Sequence, residues 1–81
     1  MPKKVLVTAE GCGWCDVAKK KYANELKDGR MEEMDVDQAL DQLIGLVECI
    51  RKSVGYIGVP VFADVDDEYN VIDCVVGIPN E

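Results

Sequence analysis

The sequence predicts an α/β domain of order βαβαββ, a four-stranded mixed sheet with helices packed on it. Three observations carry this expectation. Two strand-like runs, at 3–8 and 30–36, are each followed by a stretch whose apolar residues recur every three or four positions. Two further β-branched runs close the chain around an acidic turn, the pattern of an antiparallel hairpin. Paired βα units impose a right-handed crossover and parallel pairing of the first two strands, and the hairpin adds antiparallel pairing.

Each element has its own justification. Lys3 to Thr8 is a short Val- and Leu-rich run, the mark of a buried strand, and Ala9 to Gly13 is the turn after it. From Cys12 to about Lys27, Cys15, Ala18, Tyr22 and Leu26 make one helical face, with Lys19, Lys20, Lys21 and Lys27 outside it. Gly29 is the natural residue to end that helix. Arg30 to Val36 is an irregular strand that belongs at a sheet edge. Asp37 is the expected N-cap of a second helix from about Gln38 to Ser53, with Leu40, Leu43, Val47, Ile50 and Val54 as its stripe. Gly55 and Gly58 mark a loop. Val59 to Asp64 and Tyr69 to Val76 are the hairpin strands, joined through Asp66-Asp67-Glu68. Too few residues follow for another helix.

Length and charge bound the function. With 81 residues the chain makes one domain, 1–81, whose small core must use nearly every apolar position. Acidic residues outnumber basic ones 16 to 9, a net charge of −7 that argues against nucleic-acid and anionic-membrane partners. Met1-Pro2-Lys3-Lys4 precedes an apolar run too short for a signal peptide, and no stretch approaches the ~20 apolar residues of a membrane span. The expected location is the cytoplasm. In a reducing compartment, closely spaced cysteines serve catalysis or metal binding more often than structure.

The chemistry concentrates in Glu10-Gly11-Cys12-Gly13-Trp14-Cys15-Asp16. A Cys-x-x-Cys pair at a strand-to-helix junction is a thioredoxin-like redox signature. The unpaired N–H groups and partial positive charge of a helix start stabilise a thiolate and lower the thiol pKa. Cys12 is then the nucleophile and Cys15 the resolving thiol. Two packed cysteines, or half of a zinc site, are the alternatives. The chain has no histidine, so tetrahedral zinc would also need Cys49 and Cys74. Cys49 lies at the boundary of the second helix's stripe and Cys74 in a Val-rich strand, and both read as small packing hydrophobes. Whether they pair depends on a distance that spacing does not supply. Trp14, between the thiols, reads as an exposed docking ring. Tyr22 and Tyr56 read as structural, with Tyr56 a lesser candidate to border the site. The acidic hairpin turn lacks the spacing and glycine of a calcium loop.

The chain resembles the thioredoxin/glutaredoxin superfamily, specifically its smallest glutaredoxin-like members, from Lys3 to about Gly77. The resemblance rests on Cys12-Gly13-Trp14-Cys15 after the first strand, Val59-Pro60 opening the third, and Gly77 closing the fourth. It implies a minimal thioredoxin-like fold of sheet order 2-1-3-4, with the family's C-terminal helix absent and one sheet face partly uncovered. It also implies a cis Val59-Pro60 bond, with Gly13, Trp14, Val59 and Pro60 binding substrate beside the reactive Cys12. The implied activity is thiol–disulfide exchange on a disulfide-bearing protein, without cofactor or metal, by a monomer or weak homodimer. Glutathione-using members carry a basic residue before the first Cys, Thr before Val-Pro, and a Gly-Gly pair after strand four. Glu10, Gly58 and Val76-Gly77-Ile78-Pro79-Asn80-Glu81 stand there instead. The electron donor expected from these departures is a protein reductase in preference to glutathione. A glutathione-dependent glutaredoxin and a metal or iron–sulfur module are the rival readings.

Overall fold

Four strands, β1 (Lys3–Thr8), β2 (Met31–Asp35), β3 (Val61–Val65) and β4 (Val71–Val76), form one mixed sheet of order β2-β1-β3-β4. This computed structural model describes residues 3–54 and 59–77. The loop expected at Gly55 and Gly58, the candidate Tyr56 and the tail 78–81 lie outside the described residues. β1 pairs parallel with β2 and antiparallel with β3, and β3 pairs antiparallel with β4. Among the described residues, no helix is long and apolar enough to cross a membrane.

Alternation along β1 divides the core. Val5 and Val7 point to one face, where Val61, Ala63, Val65, Leu43, Leu46 and Ile50 gather. Leu6 points to the other, with Phe62, Met31 and Ala18. Each fully buried aliphatic side chain contributes about 1.5–3 kcal/mol, so a sheet covered on both faces makes full use of a short chain. The uneven part is the β3–β4 side of the Leu6 face. Phe62 is covered there by the Tyr22 ring, edge-on at 5.1 Å between centroids, while Val75 on the next strand is 44% exposed.

Each expected helix is two helices. The first divides into α1 (Gly13–Lys21) and α2 (Ala23–Asp28), with Tyr22 between them. Tyr22 N–H still donates to the Ala18 carbonyl and its own carbonyl accepts from Leu26 N–H, so the apolar stripe carries across. The second divides into α3 (Val36–Gln42) and α4 (Leu46–Val54). Its break has a clear cause. Leu43 turns to extended backbone at the end of α3, and Gly45, just before α4, sits at φ +88°, a left-handed conformation outside helical geometry. Ile44 leaves helical geometry to pair with Asn70, its N–H donating to Tyr69 C=O and its C=O accepting from Val71 N–H.

Helix and strand ends also shift. Asp35, not Asp37, caps α3, accepting from Asp37 N–H at 3.1 Å, because β2 stops one residue earlier than expected and the helix starts two residues earlier, at Val36. The strands of the hairpin begin at Val61 and Val71, after Pro60 and Asn70. Its turn is held by the Asp66 carboxylate, which accepts from the N–H groups of Glu68 and Asn70. At that end of the sheet Tyr69, Lys3 and Glu32 interlock: the Tyr69 hydroxyl and the Lys3 ammonium both engage the Glu32 carboxylate.

Candidate active site

The site starts from a turn. Cys12 N–H donates to Ala9 C=O at 3.3 Å, and Gly11, the third residue of that turn, has φ +76°. That is the position where a turn of this kind demands positive φ, which glycine supplies without a Cβ penalty. The turn reverses the chain at the end of β1 and sets Cys12 as the N-cap of α1, at φ −91° and ψ 109°. Gly13 is the first helical residue. The Cys12 and Cys15 Cα atoms are 5.2 Å apart and the two sulfurs are joined as a disulfide.

The two cysteines are inequivalent. Cys15 is 1% exposed, one turn into a helix whose Ala18 packs in the Leu6 cluster. Cys12 is half-buried at the rim, and its Sγ accepts from Cys15 N–H at 3.1 Å. A hydrogen bond of that kind favours the charged over the protonated sulfur once the disulfide opens. The dipole of the nine-residue α1 acts in the same sense. Trp14 projects between them at 69% exposure.

Pro60 approaches from the neighbouring strand. Val7 pairs with Val61, so the Cys12 turn and the Val59-Pro60 segment leave the same end of the sheet. The Val59-Pro60 peptide is cis, as the resemblance implies. Pro60 is buried, its C=O accepting from Gly77 N–H at 2.8 Å, and Val59 is partly buried against the Val5–Val7 cluster. Gly77 itself takes φ +88°.

The other flank is polar and was not legible from spacing. Thr8, Ala9, Glu10, Lys19, Glu33 and Asp35 line a surface cleft of about 340 Å³ between the motif turn and β2. The buried Thr8 hydroxyl donates to Glu33 Oε2 at 3.0 Å, and Lys19 Nζ lies 3.5 Å from the same carboxylate and 3.6 Å from Asp16. Among the described residues that line it, Lys19 is the one cation beside three carboxylates. The residues come from β1, α1 and β2, so no local pattern announces them.

Cys49 and Cys74, read as packing residues whose pairing the spacing left open, form a second disulfide, with Cα atoms 6.2 Å apart. The boundary position expected for Cys49 holds, since it sits at the rim of the Val5–Val7 cluster. The pairing also separates the four thiols needed for a tetrahedral site. Cys12 caps α1 and Cys15 lies on it, the helix whose Ala18 packs on the Leu6 face, while Cys49 and Cys74 belong to α4 and β4 and pack with the Val5–Val7 cluster on the other face. Among the described residues, no group of three or more Cys, Asp or Glu side chains is arranged to hold a metal ion.

Comparison of the chain with family models, with curated proteins and with solved structures finds no match. The functional reading therefore stands on the geometry.

Proposed function

We propose that the protein is a thioredoxin-like thiol–disulfide oxidoreductase that reduces disulfides in protein substrates. The observation that carries the reading is the asymmetric Cys12–Cys15 pair at the start of α1, Cys12 half-buried at the rim and Cys15 1% exposed. In the reduced protein, the Cys12 thiolate attacks a substrate disulfide and forms a mixed disulfide, expelling one substrate thiolate. Cys15 then attacks Cys12 Sγ, releases the second substrate thiol and closes Cys12–Cys15. Two electrons pass to the substrate, and an external donor restores the dithiol.

Docking falls to Trp14, Gly13 and the main chain of Val59. The Pro60 carbonyl is already taken by Gly77, so Val59 supplies the backbone for an extended substrate segment. The charge of the flanking cleft supports a protein reductase over glutathione as donor. The cleft beside the motif carries Glu10, Glu33 and Asp35 against a single Lys19. Like charge raises the energy of an anionic tripeptide there, with screening over about 10 Å at 0.1 M salt.

The test is turnover of insulin disulfides with NADPH, supplied through a thioredoxin reductase or through glutathione and glutathione reductase. Wild type turns over, Cys12→Ser does not, and the protein reductase is the faster donor. No turnover with any dithiol donor refutes the activity. Faster turnover with glutathione at cellular concentration keeps the activity and overturns the donor assignment.

A further inference from the structure

The second disulfide has no part in that exchange, and its two cysteines also differ in exposure. Cys74 is 6% exposed, opposite Ala63 in the sheet and packed in the Val5–Val7 cluster. Cys49, on α4, is only partly buried at the rim of that cluster. Ser53 Oγ lies 3.6 Å from Cys74 Sγ. A disulfide sulfur carries no proton, so the Ser53 hydroxyl is the donor. Ser53 is exposed and four residues beyond Cys49, on the same side of α4.

We propose that Cys49–Cys74 is a second redox centre, a staple of the fold that small thiols open from the Cys49 side and that the Cys12–Cys15 pair does not reach. The step follows from access. A reductant thiolate attacks Sγ of Cys49, the more exposed of the two residues, and forms a mixed disulfide with it. The Cys49–Cys74 bond breaks and its electron pair leaves on Cys74, where the Ser53 hydroxyl stabilises the thiolate until it takes a proton. A second reductant thiol then releases Cys49, so the cysteines gain two electrons and two protons and the reductant ends as its own disulfide. Exchange depends on which sulfur is attacked and on the leaving thiolate, and both are set here. Insulation follows from topology: Cys12 and Cys15 sit on the helix covering the opposite sheet face.

The experiment uses the intact oxidised protein and reduced glutathione, a monothiol whose adducts persist. Samples are quenched by alkylation and each cysteine is quantified by peptide mass spectrometry. The glutathione adduct accumulates on Cys49 at least tenfold over Cys74. Ser53→Ala slows opening of this bond severalfold while the Cys12–Cys15 rate is unchanged, and Ser53→Thr restores it. Cys12→Ser opens Cys49–Cys74 at the wild-type rate. Equal adducts on Cys49 and Cys74, as from globally unfolded molecules, overturn the proposal. So does opening that requires Cys12, and an unchanged rate in Ser53→Ala removes the hydroxyl's role. None of these readouts depends on whether Cys12–Cys15 turns over a protein substrate.

Discussion

Removing the Cys49–Cys74 bond should cost the protein much of its stability. The bond spans a sequence separation of 25 residues. In the chain-entropy treatment, closing such a loop removes about 12 cal/mol/K from the unfolded ensemble, or about 3.5 kcal/mol at 25 °C. A chain of 81 residues has a total stability of roughly 4–12 kcal/mol at the usual per-residue value. The staple is thus a large fraction of the whole. The perturbation is Cys49→Ala with Cys74→Ala, compared with wild type in urea denaturation and in heat. For a domain this size each kcal/mol moves Tm by about 4–8 °C, so the expected fall is roughly 15–25 °C. An internal control is Cys12→Ala with Cys15→Ala, whose loop spans only 3 residues. The same treatment gives that bond about 1.6 kcal/mol. Equal losses in the two double variants, or a fall under about 5 °C for the first, would refute the entropic reasoning.

Three further outcomes are expected. Cys15→Ser should accumulate mixed disulfides on Cys12, because the resolving thiol is gone; a variant that captures nothing while wild type turns over points to another resolving thiol. Thermal stability should be level above about pH 5 and fall in acid. The Lys3 ammonium, with help from the Tyr69 hydroxyl, holds Glu32 below the usual carboxylate range, and the Asn70 N–H does so for Asp66. A depressed carboxylate contributes fully above its unfolded pKa and loses that contribution as pH falls through its folded one. Glu32→Gln should therefore flatten the acid limb in a Tm-against-pH series, and an unchanged limb sinks that assignment. Gly45→Ala should lose about 1–2 kcal/mol in urea denaturation, since Gly45 is at φ +88° and a Cβ there meets open space, leaving backbone strain as the only term.

The parts of this molecule that were legible in the sequence are those fixed by local spacing. The Val- and Leu-rich run at Val5-Leu6-Val7 marks a buried strand and the stripe Cys15, Ala18, Tyr22 and Leu26 names its helical face, because both are local in the chain. Cys12 at the helix start follows from a strand, a glycine-bearing turn and a helix in series. The breaks were less visible. Apolar period records a face and not one residue's dihedrals, so it runs smoothly through Tyr22. Gly45 did carry a signal, since glycine inside a helix is unfavourable by about 1 kcal/mol, but the stripe around it overrode the warning. What spacing cannot hold is distance between remote elements. Cys49 and Cys74 meet because α4 packs on β4, and Thr8, Lys19 and Glu33 meet because three elements converge beside the motif turn.

The sheet explains how one short chain can carry two disulfides with opposite demands. A pair that cycles must open and close without threatening the fold. On the function proposed above, Cys12–Cys15 meets this demand because it closes a three-residue span within one helical turn, where the loop term is smallest. Its reduced form is also favoured by the helix start and by the Cys15 N–H aimed at Cys12 Sγ. A staple needs the reverse: a long loop, a buried sulfur and no helix terminus to stabilise its thiolate. Cys49–Cys74 has the long loop and the 6% exposed Cys74, and it sits within α4 and β4, not at a helix start. Setting the pairs on opposite faces keeps them from exchanging with each other. By the loop term the two bonds differ by about 2 kcal/mol in stabilisation, so opening the first costs the fold less than opening the second.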